Sequence, residues 1–168
     1  MSEETSNQFS SDLCLLILRV SAGFLMIHHG FEKLDNIENF AEAFVKPIHL
    51  PFPIFMSYIA AFSEVGGSWL LITGLLTRFG ALAILGTMSV AIYHAVSTAG
   101  FNIYLLELLG LYFASATAIL AVGPGRLSVD ELIARRFAPD TRSQADRLEA
   151  AFTADAEAAN DVVADGVS

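Results

Sequence analysis

The sequence predicts an all-α fold, a transmembrane four-helix up-down bundle, and three observations lead there. Of 168 residues, 54% are hydrophobic and only 16% are charged, which is too apolar for an ordinary soluble domain. Residues 79–106 run for 28 positions without Asp, Glu, Lys or Arg, far longer than a buried core helix or strand requires. Short links between the later apolar stretches force antiparallel neighbours.

Four stretches meet the roughly 20 apolar residues needed to cross a bilayer. Residues 13–31 contain Arg19 as their one formal charge, residues 54–76 contain Glu64, and residues 79–106 and 108–125 contain none. Phe52, Phe55, Tyr58, Tyr104 and Tyr112 lie at or near span ends, where aromatic rings favour the interface. The first connection, residues 33–53, is a true loop with Pro47, Pro51 and Pro53, and its middle, residues 38–45, suits a short interfacial helix. The second turns around Thr77-Arg78, and the third around residues 98–102.

Both termini then fall on one side. Arg19, Arg78, Arg126, Arg135 and Arg136 lie there against Lys33 and Lys46 opposite, so the positive-inside rule puts both termini in the cytoplasm. The polar opening, residues 1–12, is acidic and lacks the basic start of a cleaved signal peptide, so the first span is expected to be retained. The transmembrane domain occupies residues 13–125. After the break at Gly123-Pro124-Gly125, Ser128 and Glu131 have capping-box spacing and open a short amphipathic helix within residues 126–138, with Val129, Leu132, Ile133 and Phe137 as its apolar stripe. Residues 139–168 hold seven acids and two arginines, which gives −5 of the chain's −9. This composition reads as a disordered acidic tail.

The negative balance excludes nucleic acid as a partner. Cys14 alone builds neither a disulfide nor a cysteine-based metal centre, and its apolar surroundings read as those of a small buried hydrophobe. No nucleotide loop, nucleophile triad or Gly-rich dinucleotide motif occurs. A di-iron bundle needs Glu-x-x-His pairs, which are absent, and no metal site is expected.

Chemistry is therefore sought among ionisable groups inside the spans, which are costly in lipid and normally face the bundle interior. At ~1.5 Å per residue, His28, His29, His94 and Glu107 fall roughly 7–9 Å to the non-terminal side of the midplane, with Glu64 near it. Glu32 and Lys33 sit at the end of the first span. Small residues share these faces: Gly67 and Gly74 with Glu64, Gly110 and Ala114 with Glu107, and Ala83 and Thr87 with His94. All are expected to point inward into one polar cluster, whereas Arg19 is expected to snorkel toward the terminal-side headgroups. The composition of the cluster suits a quinone-like ligand better than haem held between His28 or His29 and His94. A proton-coupled transporter using Glu64 and an assembly scaffold without ligand remain alternatives.

Several of these residues also form a recognisable pattern. Arg19-Val20-Ser21-Ala22-Gly23-Phe24, His29-Gly30-Phe31-Glu32-Lys33-Leu34, Glu64 before Gly66-Gly67, Gly74-Leu75-Leu76-Thr77-Arg78, and Gly123-Pro124-Gly125-Arg126-Leu127-Ser128-Val129-Asp130 together resemble the DoxX family of small four-span membrane proteins. The resemblance covers about residues 13–131, with His28 an addition beside the usual His-Gly and the acidic tail outside it. It implies a multi-pass protein of a prokaryotic cytoplasmic membrane. Some members are associated with membrane redox systems, including a thiosulfate:quinone oxidoreductase and a complex with superoxide dismutase and a sulfurtransferase-like protein. His29, Lys33 and Glu64 match the family motif; the depth argument adds His94 and Glu107. The expected role is an auxiliary, non-catalytic subunit with protein partners or further copies of itself in the bilayer, and with no redox cofactor identifiable in the chain.

Overall fold

The computed structural model describes residues 2–137, with side chains from residue 7, together with residues 149 and 152. The expected acidic tail, residues 139–168, otherwise lies outside the described residues. The chain divides into two units, residues 1–133 and 134–168, and the architecture below is that of the first. Every element among the described residues is helical.

Four long helices have the length and hydropathy of membrane spans. Helix α1 (Ser2–Asp35) leads through a short helix α2 (Ile37–Phe40), a π-helical turn (Ala41–Val45) and a 3-10 turn (Lys46–Ile48) into α3 (Pro53–Thr73). Helices α4 (Thr77–Ala99) and α5 (Ile103–Val122) follow, and α6 begins at Val129. The expected loop helix is present and is anchored by the buried Ala41 and Val45. One boundary differs from the sequence reading: the polar opening is already helical. The third link falls at Gly100, Phe101 and Asn102, within the expected residues 98–102. Asn102 ends the link by accepting the Tyr104 backbone N–H on its side chain at 3.1 Å, an N-cap that hydropathy does not register.

Helix α3 is the hub. Its buried residues Ser57, Ala61, Glu64, Ser68 and Leu71 recur every three or four positions, the spacing of one helix face, and that face is mostly small. Neighbouring helices therefore approach at backbone range, as membrane helices do where small residues meet. A Cβ on Gly23 of α1 would lie 2.8 Å from the Ser68 carbonyl oxygen, and one on Gly67 would lie 3.0 Å from that of Gly80 in α4. Outward positions such as Phe24, Phe62, Trp69, Tyr93 and Leu111 are exposed. Apolar side chains there suit lipid, and the helices satisfy their own backbone groups.

The terminal end of the bundle is closed by the segment after α5. Asp130 accepts the Leu76 N–H at 2.7 Å on one carboxylate oxygen and the Thr77 N–H at 2.9 Å on the other. Its own N–H donates to the Gly74 carbonyl at 2.9 Å. These bonds secure the first turn of α4, whose preceding residue Leu76 has φ 46°, a left-handed conformation costly for a side chain with a Cβ. Ser128 accepts the Glu131 N–H at 3.1 Å, the expected cap of α6, and Asp12 accepts the Arg126 N–H at 3.0 Å, which ties the start of α1 to this segment.

Arg19 does not snorkel. It is 1% exposed, and its guanidinium donates to the Leu127 carbonyl at 2.8 Å. Gly74 has φ +70°, and a Cβ there would lie 2.0 Å from the guanidinium, so only glycine leaves room for it. A partner 108 residues away in the chain removes the need to reach the headgroups. Cys14, expected to be buried, is exposed.

Burial pushes the Asp130 carboxyl up, but the Thr77 and Leu76 N–H groups and the Arg19 charge outweigh it and hold the group below its ordinary value. A depressed folded value contributes stability that is complete above the unfolded value near 4 and is lost as pH falls through the folded one. We expect Asp130→Asn to cost about 1–2 kcal/mol at neutral pH, the range of a lost helix cap. In an acid series of unfolding curves, the difference from wild type should close below about pH 4. A difference that stays constant into acid would show that the carboxylate charge does not secure this end.

A polar cluster at the wall of an apolar cavity

Toward the other end, α1, the α2 segment, α3, α4 and α5 enclose a cavity of about 730 Å³. Its wall is mostly apolar, with Met26, Met56, Ile59, Met88 and Leu109 among its residues, and its few polar groups converge from separate helices. Glu64 projects from the middle of α3 and is 2% exposed. Lys33, from the last turn of α1, forms an ion pair with it. This arrangement follows from helix geometry: Lys33 is three residues beyond Gly30, where α1 passes within backbone distance of α3.

A row of rings continues from that pair. The Lys33 ammonium lies 5.3 Å from the centre of the Phe40 ring, within cation–π range. Phe40 stacks on Phe44 at 5.0 Å, and Phe44 meets the His94 ring at 5.1 Å. Phe40 and Phe44 are four residues apart and so lie on one face of the helical segment, next to a π-helical turn of the kind that recurs at functional sites. His94 on α4 completes the row. Its Nε2 is buried and has no hydrogen-bond partner among the described residues.

His29 lines the cavity from α1, its ring 6.1 Å from Tyr112 of α5 in an edge-on arrangement. The structure thus brings His29, Lys33, Glu64 and His94 to one cavity, and Glu32 to its rim. It does not bring in His28 or Glu107. His28 is exposed on α1, with its ring 4.0 Å from that of His29. Glu107 is exposed on α5 and absent from the cavity wall, and a Cβ on its neighbour Gly110 would touch nothing within 4 Å. Gly110 therefore does not mark a helix contact, and the inward face inferred from it belongs elsewhere on α5.

Sequence reasoning missed Tyr112, Phe40, Phe44 and Asn36 as wall residues. The amphipathic stretch 38–45 was the available signal for the two phenylalanines, had its apolar face been directed at the bundle. Expecting no metal site also passed over His28, His29 and Glu32, whose ligand atoms lie within 4.8 Å of one another.

A bundle of four apolar spans with a buried charge pair defines a multi-pass membrane protein. Comparison specifies which kind: the DoxX family model matches residues 14–97, half of the chain, and the protein belongs to that family. An uncharacterized protein of Haemophilus influenzae is 34% identical over 137 residues, covering 76% of this chain and 87% of its own length. No solved structure matches the chain. The family match takes in the Lys33–Glu64 pair and His94, while α5 and the closing segment at Asp130 lie beyond it.

Removing Lys33 leaves a buried carboxylate without its cation. Lys33→Met should lower stability by about 3 kcal/mol in detergent unfolding, whereas Lys33→Met with Glu64→Met should recover most of the loss, because a buried pair is commonly no more stabilising than apolar side chains of similar volume. Equal stability of Lys33→Met and wild type would deny the pair any structural role.

Proposed function

We propose that this protein is an auxiliary subunit of a membrane redox system whose cavity holds a quinone-like molecule. One observation carries the reading: a mostly apolar cavity of about 730 Å³ contains a buried ion pair and a buried imidazole nitrogen with no partner among the described residues. Its volume lies within the usual range of small-molecule pockets, which are apolar with a few well-placed polar groups. An aromatic ring with two carbonyl oxygens matches this wall. The Lys33 ammonium, and His94 when Nε2 carries the proton, are donors available to carbonyl oxygens at this wall. The Phe40 and Phe44 rings offer flat apolar faces.

Reduction of a quinone to a quinol consumes two electrons and two protons. Glu64, His29 and His94 are the proton-exchanging side chains at this wall. The sequence offers no electron carrier of its own, so a partner subunit supplies the electrons. The excess of basic residues on the terminal side supports cytoplasmic termini, and the chemistry suits the cytoplasmic membrane of a prokaryote.

Organic extraction of the purified protein, followed by the ultraviolet and visible spectrum of the extract, tests this directly. We expect a quinone in near-stoichiometric amount, and a roughly tenfold weaker affinity for added quinone in His94→Leu, the scale of one lost hydrogen bond. An extract without quinone, together with added quinone that binds wild type and His94→Leu alike, would overturn the reading. Proton uptake into proteoliposomes that depends on Glu64 and needs no quinone would replace it with transport.

A further inference from the structure

A second cluster lies on the same helix, at the rim of the cavity. His28, His29 and Glu32 stand at positions i, i+1 and i+4, so His28 and Glu32 are one turn apart and His29 reaches Glu32 across three residues. Their three ligand atoms, one from each side chain, lie within 4.8 Å of one another. His29 Nδ1 and Glu32 Oε2 are 3.4 Å apart, long for a charge-assisted hydrogen bond. That spacing equals the edge of about 3.4 Å between two ligands of a four-coordinate ion held at 2.0–2.1 Å from nitrogen and 2.0–2.2 Å from oxygen. The geometry points to a divalent transition-metal site, of the kind that takes Zn²⁺, formed by His28, His29 and Glu32.

Two imidazoles and one carboxylate are the donors such ions prefer. Lys33, one residue beyond Glu32, carries charge of the same sign as the ion, and its pairing with Glu64 offsets part of that repulsion. His28 and Glu32 are exposed, and the His28 ring lies 4.0 Å from that of His29. The span α1 covers 29 residues, about 43 Å of helix, against a hydrocarbon thickness of about 30 Å, so its last turn, which carries Glu32, reaches the headgroup level. His28 and His29 lie one turn deeper, His28 exposed and His29 half-buried. Three protein ligands leave a coordination position open, and because His29 also faces the cavity, the ion would sit at its entrance. This site is independent of whether the cavity holds a quinone.

The test uses the full chain in detergent, purified without a histidine tag and stripped with a chelator. Calorimetric titration with Zn²⁺ should give one ion per chain. His28→Ala and Glu32→Gln should each raise the Kd by more than about tenfold, the least that loss of even an orienting partner costs a metal site. His49→Ala, an exposed histidine outside the cluster, should bind as wild type. Wild-type protein that binds no stoichiometric Zn²⁺, or His28→Ala and Glu32→Gln with unchanged affinity, would overturn the assignment. If either variant fails to fold, Cu²⁺ bound to wild type decides the question: electron paramagnetic resonance should show two coupled imidazole nitrogens, and one or none would contradict the site.

Discussion

A carboxylate buried halfway along a membrane helix has no water to ionise into, and the placement of Glu64 is possible only because a cation meets it there. Lys33 supplies that cation from another helix. The reach of its side chain limits how far the end of α1 can lie from the middle of α3, and so fixes the relative height of the two helices. Backbone contact at Gly23 and Gly30 fixes their separation. The cavity follows from these constraints, because α4, α5 and the π-helical turn pack around an α1–α3 pair whose polar centre lies to one side of the core. The core of Met26, Leu71, Ile84, Met88 and Ile119 fills the remainder.

The opposite end solves a related problem with different chemistry. Arg19 is as thoroughly buried as Glu64, but its guanidinium is met by a carbonyl at Leu127 and by the charge of Asp130. Asp130 also secures the left-handed Leu76 and the start of α4. One carboxylate thus joins the turn after α3, the segment after α5 and an arginine of α1. The charge pair in the middle lies at the wall of a large, mostly apolar cavity, whereas the terminal network joins backbone groups of three segments.

Hydropathy placed the four spans because lipid demands long apolar helices, and the order of short and long links set their antiparallel arrangement. The third link, expected at residues 98–102, falls at Gly100 to Asn102, where Asn102 caps α5. The azimuth of the polar residues was not legible. His94 and Glu107 were assigned similar depths, yet one lines the cavity and the other faces outward, because the rotation of α5 is set by packing against α4. Gly110, read as a contact residue, is open. Arg19 was misjudged for the same reason: its partner is distant in sequence, and only the folded chain brings Leu127 to it. The phenylalanines over the cavity were legible as one face of the amphipathic stretch 38–45, but its direction toward the bundle was not.

The central claim is that Glu64 is ionised and paired with Lys33 inside the bundle. Infrared difference spectroscopy on protein with isotopically labelled glutamate, comparing wild type with Glu64→Gln in lipid, tests it most directly. The account predicts that the substitution removes a carboxylate band at neutral pH, and that Lys33→Met shifts Glu64 toward the protonated form. Loss of a protonated carbonyl band instead, in protein with Lys33 intact, would show that Glu64 is neutral and that no buried charge pair organises the cavity.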